Sequence, residues 1–399
     1  MASSKAFLKP YYRYDPIGSN EALARVIGVH PGLLVDIARK SNHSYTKFQI
    51  VSNSGKLRDV FEPKYYLKAI QKRINAHLME GVQFPRYLMG SIKDVQAPRD
   101  YVLNATQHAG SATLIKADIR NFYTNIRSRS VLNVFRNFFH FPVDVAELLT
   151  ELTTLHDRVP QGACTSSYLA NLVFFNEEYS LVSDLNSRGL LYTRLLDDIT
   201  ISSSRQLCNQ DATAAFTRIA GMCKKHGLRL NNKKSAVIHN SGKAADFSVT
   251  GLWVKHRKAK IPRKERRYIR LLVYICEQEF KKGADTQAYS DLWNSASGKV
   301  AKLKRLNHAQ ASALRKRLRA IMPVLSVENT SNLIGEVEYL CDERFSSGSY
   351  RIGQINRINK ALYQLSILGR SNPGLAQRLR SRLYNANENV PTKHEFWRS

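Results

Sequence analysis

The sequence string Leu114-Ile115-Lys116-Ala117-Asp118-Ile119 is an apolar run that meets an aspartate just where the chain turns into Asn121-Phe122-Tyr123. Asp197 and Asp198 stand 79 positions further on, between the strand-like runs 191–196 and 199–202. Paired aspartates suit the turn of a β-hairpin, because Asp tolerates turn conformations and bonds its own backbone. A fold that brings these strands together places three carboxylates at adjacent strand tips. Nucleotidyl transfer needs two divalent ions a few ångströms apart, and Mg²⁺ takes hard oxygen ligands of this kind. Neighbouring side chains on a strand point to opposite faces, so Asp197 and Asp198 cannot be equivalent. Asp118 and Asp197 are therefore expected to bridge the metals, with Asp198 auxiliary. An Asp-Asp pair alone is more often a solvated turn, and the reading depends on what surrounds it.

Val159-Pro160-Gln161-Gly162, followed by Ala163-Cys164-Thr165-Ser166-Ser167 and the apolar run 168–175, reads as a tight turn, a cap and a buried helix. Gln161 and Gly162 could then approach a nucleotide closely. Elsewhere the periodicity predicts short N-terminal helices over 20–50 leading into a strand near 48–51, a basic extended stretch at Lys56-Leu57-Arg58 and a helix over 65–78. A strand at 113–119, a helix near 131–139, a hairpin over 190–202 and a helix near 212–226 follow, then short strands at 228–230, 235–239 and 248–254. This mixed order predicts an α+β fold with helices on one face of a sheet. Beyond residue 254 the chain reads as helical and basic, with eleven lysines and arginines against three glutamates between residues 255 and 282.

Charge narrows the partners. Lysine and arginine total 61 against 32 acidic residues, a formal net charge of +29, which favours a polyanion and above all nucleic acid. Five cysteines, odd in number and without a Cys-x-x-Cys pair, argue against a disulfide framework or a zinc module. No segment has the roughly 18 apolar residues a membrane helix requires, and the first sixteen residues are polar and tyrosine-rich. A cytoplasmic protein with no membrane partner is expected.

Together Asp118-Ile119-x-x-Phe122-Tyr123, Pro160-Gln161-Gly162-x-x-x-Ser166, Tyr192-Thr193-Arg194-Leu195-Leu196-Asp197-Asp198, Gly227-Leu228-x-Leu230-Asn231-x-Lys233-Lys234 and Gly251-Leu252 resemble reverse-transcriptase motifs A to E in content and order. Upstream, Lys56-Leu57-Arg58-x-x-x-x-Pro63 and Leu67-Lys68-x-Ile70-Gln71 resemble the fingers segments of that family. Asn104-Ala105-Thr106-Gln107-His108 and Val249-Thr250-Gly251 resemble the Asn-Ala-x-x-His and Val-Thr-Gly elements of its bacterial retron branch.

The resemblance implies a right-hand polymerase fold: an N-terminal helical region at 1–50, fingers and palm at 51–255, a basic helical thumb at 256–325 and a helical extension or partner-docking region at 326–399. It implies an RNA-directed DNA polymerase with two Mg²⁺ ions held by Asp118, Asp197, Asp198 and the Ile119 backbone. Lys56 and Arg58 would lie over the triphosphate, Gln161 and Gly162 would border the nucleotide, and Tyr123 would exclude a 2′-hydroxyl. Lys234, or in its place Lys233, would stand near the pyrophosphate. RNA contacts are implied for Asn104, Ala105, His108, Val249, Thr250 and Gly251, and for thumb residues Arg263, Lys264, Arg266 and Arg267. The implied partners are dNTPs, a cognate noncoding RNA primed from its own 2′-hydroxyl, the DNA product, and an effector protein encoded nearby in antiphage defence. Leu195-Leu196 stand where the family usually has Tyr-Ala, and Arg120-Asn121 where acidic residues are common. A different defence-associated or intron-like bacterial reverse transcriptase and a catalytically silent RNA-binding scaffold are the competing readings.

Overall fold

The computed structural model describes residues 7–51, 55, 57–94, 98–240, 247–342 and 350–398. Lys56 lies outside them. The chain divides into two compact units, 1–259 with 398–399, and 260–397.

The strands of the first unit are β1 (Tyr11–Tyr12), β2 (Tyr45–Val51), β3 (Leu57–Pro63), β4 (Val82–Gln83), β5 (Thr113–Asp118), β6 (Leu190–Leu195), β7 (Asp198–Ser203), β8 (Ala236–His239), β9 (Ser248–Val249) and β10 (Leu252–Trp253). Its helices are α1 (Asn20–Val26), α2 (Pro31–Arg39), α3 (Tyr65–His77), α4 (Tyr101–Gln107), α5 (Phe122–Asn125), α6 (Ser128–Asn133), α7 (Val143–Thr153), α8 (Ser166–Leu172), α9 (Glu178–Ser187) and α10 (Asn209–Lys225). The central sheet is antiparallel, in the order β6-β7-β5-β8. β2 and β3 form a separate hairpin.

Alternation explains the sheet. Leu114 and Ile115 on β5 and Ile199 and Ile201 on β7 are almost fully buried, so both faces of the central strands are covered, β5 here reading as a continuous apolar run. The apolar cluster that takes in Ile115, Ile199 and Ile201 runs from Leu23 of α1 to Leu228, including Phe135, Phe139, Leu149 and Phe174. α1 and α2 therefore pack into the same core as the sheet. The expected strand at 228–230 reduces to a single bridge, Ile119 with Leu230, because Gly227 turns left-handed at φ +70° immediately before it.

The second unit is helical: α11 (Arg263–Phe280), α12 (Gln287–Arg305), α13 (Ala311–Ala320), α14 (Val327–Asp342), α15 (Ile352–Leu368), α16 (Pro373–Ala386) and α17 (Lys393–Phe396). The 3.6-residue spacing of Ile358, Leu365 and Leu368, and of Leu379 and Leu383, turns these side chains toward Leu333, Val337 and Leu340 of α14. Leu365 is 0 % exposed. Leu365→Ala should therefore lower stability by about 2–5 kcal/mol in urea unfolding, and a loss below about 1 kcal/mol would contradict this packing.

Candidate active site

Register sets the geometry of the site. Asp118, the last residue of β5, pairs directly with Asp198, the first residue of β7. Leu195 pairs with the same Asp198 across the β6–β7 hairpin, so Leu196 and Asp197 form its two-residue loop. The Ile119 amide donates to the Asp197 carbonyl at 2.9 Å, tying the end of β5 to that loop. All three aspartates thus meet at one end of two adjacent strands, as their positions in the sequence predict.

The charges are crowded. Asp118 is buried and fully engaged: Asn231 Nδ2 donates to Oδ1 at 3.0 Å and Lys234 Nζ to Oδ2 at 3.0 Å. Its backbone carbonyl accepts from the Asn231 amide at 2.7 Å. Removal from solvent raises the pKa of Asp197, its own backbone bonding opposes the rise, and the neighbouring Asp118 charge adds to it. Desolvation, then the Asp197 and Asp118 carboxylates, push Asp198 up to about 6. Lys234, Arg58 and Lys116 offset these effects only in part.

Among the described residues, no group of three or more His, Cys, Asp or Glu side chains is already disposed to hold a metal ion. The donor set nevertheless fits a hard divalent cation. Three carboxylates crowd close enough for their charges to act on one another, at a cost that a cation would relieve, and the Lys234 ammonium already pairs with Asp118.

The segments expected around a nucleotide are built into the same unit. Arg58 lies on β3 opposite Ile50, is exposed, and is close enough for its charge to act on Asp197. The Phe61 amide donates to the Gln161 carbonyl at 2.8 Å, docking the β2–β3 hairpin on the loop that precedes α8. Gly162 has φ +110°, and a Cβ there would stand 2.5 Å from Val60 Cγ1 and 3.1 Å from the Phe61 carbonyl. Only glycine fits. Ser166 Oγ ties the loop to the Pro160 carbonyl at 2.6 Å. Tyr123, half-buried on α5, contacts Ser167 Oγ at 3.2 Å through its hydroxyl. Lys233 makes no described contact with the aspartates, whereas Lys234 does.

A cleft of about 260 Å³ opens beside the carboxylates, lined by Asp118, Asp198, Lys116, Lys234 and the turn Val249-Thr250-Gly251. Thr250 and Gly251 have φ +48° and +78° and form the two-residue loop joining β9 to β10, a left-handed pair typical of a type I′ hairpin. A β-branched residue is unusual there. The Thr250 hydroxyl donates to the Tyr101 carbonyl at 2.8 Å, fixing the turn to the start of α4.

Asn104, Ala105 and His108 behave differently from the expectation of an RNA surface. All three are at most 1 % exposed. His108 Nδ1 is 2.7 Å from Ser202 Oγ and its Nε2 is 2.7 Å from Thr193 Oγ1. The element is a strut that pins α4 to β6 and β7. Sequence resemblance marks the position but not which way the side chains point. Arg263, Lys264 and Arg267 on α11 are exposed, and Arg266 is half-buried with a guanidinium nitrogen 3.5 Å from His308 Nε2.

Several residues, most of them within the motif strings, have supporting roles that sequence reasoning does not assign. Gln71, fully buried, donates to the Leu152 carbonyl at 2.9 Å and accepts from the Cys164 amide at 3.1 Å, holding the nucleotide-side loop to α3. Asn231 on Asp118 is a second. Glu178 and Arg194, paired in the core, are a third. The one available signal for the pair is an arginine inside an apolar strand, which needs a partner if buried.

A family model described as reverse transcriptase (RNA-dependent DNA polymerase) matches residues 42–271. The chain is 41 % identical to the retron Se72 reverse transcriptase of Salmonella heidelberg over 377 residues, 94 % of this chain and 98 % of that one. It is 32 % identical to the retron Ec48 reverse transcriptase of Escherichia coli over 375 residues, 91 % of each. Among solved structures, apo telomerase from Candida tropicalis aligns over 97 % of this chain and 75 % of that one at 12 % identity, with a TM-score of 0.39.

Burial drives the His108 pKa down to about 4, from an ordinary 6.5. In the unfolded chain the ring regains its ordinary value, so below pH 6.5 the unfolded state binds the extra proton. Stability from this group is complete above pH 6.5 and is lost as pH falls toward 4, by up to about 3 kcal/mol. His108→Gln should flatten the pH dependence of urea midpoints across that window, and an unchanged slope would refute the buried neutral imidazole.

Proposed function

Because the chain belongs to the reverse-transcriptase family, in its retron branch, and is an RNA-directed DNA polymerase, we propose that it copies a cognate structured noncoding RNA into a short single-stranded DNA that stays joined to RNA. The primer is a 2′-hydroxyl of that RNA. We place this activity in the bacterial cytoplasm, in antiphage defence beside an effector protein encoded nearby. The observation that carries the reading is the direct pairing of Asp118 with Asp198, with Asp197 in the adjoining loop.

Asp118 and Asp197 would hold two Mg²⁺ ions, with Asp198 auxiliary and the Ile119 carbonyl as a backbone ligand. Bound there, the ions supply Lewis-acid activation of the attacking hydroxyl and neutralise charge on the leaving pyrophosphate. The protein's own groups orient the substrates. Arg58, with Lys56, gives charged donors to the triphosphate. Gln161 and the bare backbone of Gly162 border the incoming dNTP. The Tyr123 ring would exclude the 2′-hydroxyl of a ribonucleotide. Lys234, on Asp118 in the free protein, would be the lysine near the leaving pyrophosphate. The net charge of +29 and the exposed Arg263, Lys264 and Arg267 support phosphate contacts along an RNA–DNA duplex. In this assignment 51–255 are fingers and palm, 256–325 the thumb, and 326–399 an extension suited to a partner. Thr250 and Gly251 at the cleft wall are the part of the retron-specific elements that can meet RNA directly.

The test is expression with native flanking DNA, followed by a denaturing gel of the RNase-treated nucleic acid that co-purifies. A discrete short DNA, running longer before debranching, is expected from the native protein and absent from Asp197→Ala/Asp198→Ala. RNA without DNA from the native protein would sink the reading. Tyr123→Val should raise incorporation of ribonucleotides relative to deoxyribonucleotides by about tenfold or more, the effect expected when a close contact no longer excludes a group.

A further inference from the structure

Arg194 lies in the interior of β6, 0 % exposed, one turn of the hairpin away from the aspartates and without a part in the chemistry above. Its guanidinium is fully saturated. Nε and one terminal nitrogen meet the two oxygens of Glu178 at 2.5 and 2.7 Å. The remaining N–H groups reach the carbonyls of Ala170 at 3.2 Å, Asn171 at 2.9 Å and Leu196 at 3.2 Å. The Tyr192 hydroxyl donates to Glu178 at 2.7 Å, and the Phe174 ring lies 5.2 Å from the guanidinium carbon.

A buried ion pair is weak evidence of stability, since apolar residues of the same volume serve a core as well. Its value here is where the fifth bond goes. Leu196 immediately precedes Asp197 and sits at φ +59°, a left-handed loop position that glycine takes readily and leucine does not. Two further restraints act on the same loop. Segment 87–90 lies parallel to β6, with the Arg194 amide on the Tyr87 carbonyl and the Met89 amide on the Arg194 carbonyl, each at 2.8 Å. Gly90 presses on Leu196 so closely that a Cβ there would meet Leu196 Cγ at 2.9 Å. Asn171, whose carbonyl Arg194 holds, also donates to the Gly90 carbonyl at 2.8 Å.

We propose that Arg194, with Glu178 as counter-ion, is the positioning residue of the aspartate loop: it fixes the Leu196 carbonyl against α8 and so sets how tightly the carboxylates bind a divalent cation. The proposal rests on the reading that Asp197 is a cation ligand. Only a planar group with five donors can bond Glu178, α8 and the loop together. Arg194→Lys keeps the charge and loses the fork.

In Arg194→Lys the Mn²⁺ affinity of the RNA-free protein, titrated by loss of the free-ion EPR signal, should weaken about tenfold, the usual effect of removing a group that orients a metal ligand. The half-saturating Mg²⁺ concentration for dNTP incorporation on a primed RNA template should rise in parallel. A purely structural defect would lower the active fraction and leave both unmoved. Adding Leu196→Gly, which accepts φ +59° unaided, should restore both toward native values. If Arg194→Lys does not fold, Arg194→Met/Glu178→Met leaves no lone buried charge and takes its place. Folded variants with native cation response overturn the proposal, as does failure of both to fold, which would assign Arg194 to the core alone. Asp197→Ala is the control: unchanged Mn²⁺ binding and polymerisation there would defeat the ligand reading itself.

Discussion

Three carboxylates at the ends of two antiparallel strands repel one another, and the first unit is organised so that they cannot move apart. The pairing of β5 with β7 fixes Asp118 opposite Asp198, and the Ile119 amide holds the loop that carries Asp197. Relaxation by rotation is closed to Asp118, whose oxygens are taken by Asn231 and Lys234. Burial first, and then the neighbouring Asp197 and Asp118 carboxylates, push the Asp198 pKa up to about 6. Such a site has an unfavourable ground state that a divalent cation relieves, which is why the same arrangement that strains the free protein suits metal-assisted nucleotidyl transfer.

Confinement requires support from behind. The sheet edge that would leave β6 free is covered by segment 87–90, the Ser202 and Thr193 hydroxyls are joined through His108, and the Arg194–Glu178 pair locks the hairpin to α8 and α9. These are polar contacts in a dry interior, where each satisfied bond is directional and an unsatisfied one is costly. Apolar packing would hold the layers together with similar strength, but it would tolerate small slides of β6 along its neighbours. Directional bonds do not.

The positions that read correctly from sequence are those where side-chain chemistry and periodicity coincide. An apolar run ending in Asp118, a hairpin with the Asp197-Asp198 pair at its tip (Asp197 in the loop, Asp198 opening β7), and the helical spacing of Ile355, Ile358 and Leu365 each constrain local structure and burial at once. Gly162 is expected to allow close approach of a nucleotide, and the close approach in the structure is that of the β2–β3 hairpin through Val60. Where sequence misled, orientation was the missing quantity. His108 in a motif says nothing of whether the ring faces solvent or the sheet, and four residues per helical turn leave both open. The partner of Arg194 is not legible because long-range pairing with Glu178, sixteen positions away across a helix–strand turn, has no periodic signature. The expected strand at 228–230 failed because Gly227 and the bond of Asn231 to the Asp118 carbonyl bend the segment over the carboxylate instead of along the sheet.

The burial of Asn104, Ala105 and His108 alters how the two retron-specific elements relate to RNA. Thr250 is bonded to the first residue of the helix that carries His108, and His108 is bonded to both strands of the aspartate hairpin. One element therefore faces the cleft and the other runs from it to the catalytic strands, so the pair acts as a single mechanical piece. Its outer end is an inherently strained turn, a threonine at φ +48°, held in place by one hydroxyl bond. Bonds of 2.7–2.8 Å at each junction join that turn, through the helix, to the strands that carry the aspartates. The wall of the cleft and the framework that aligns the carboxylates are then joined through the same few residues.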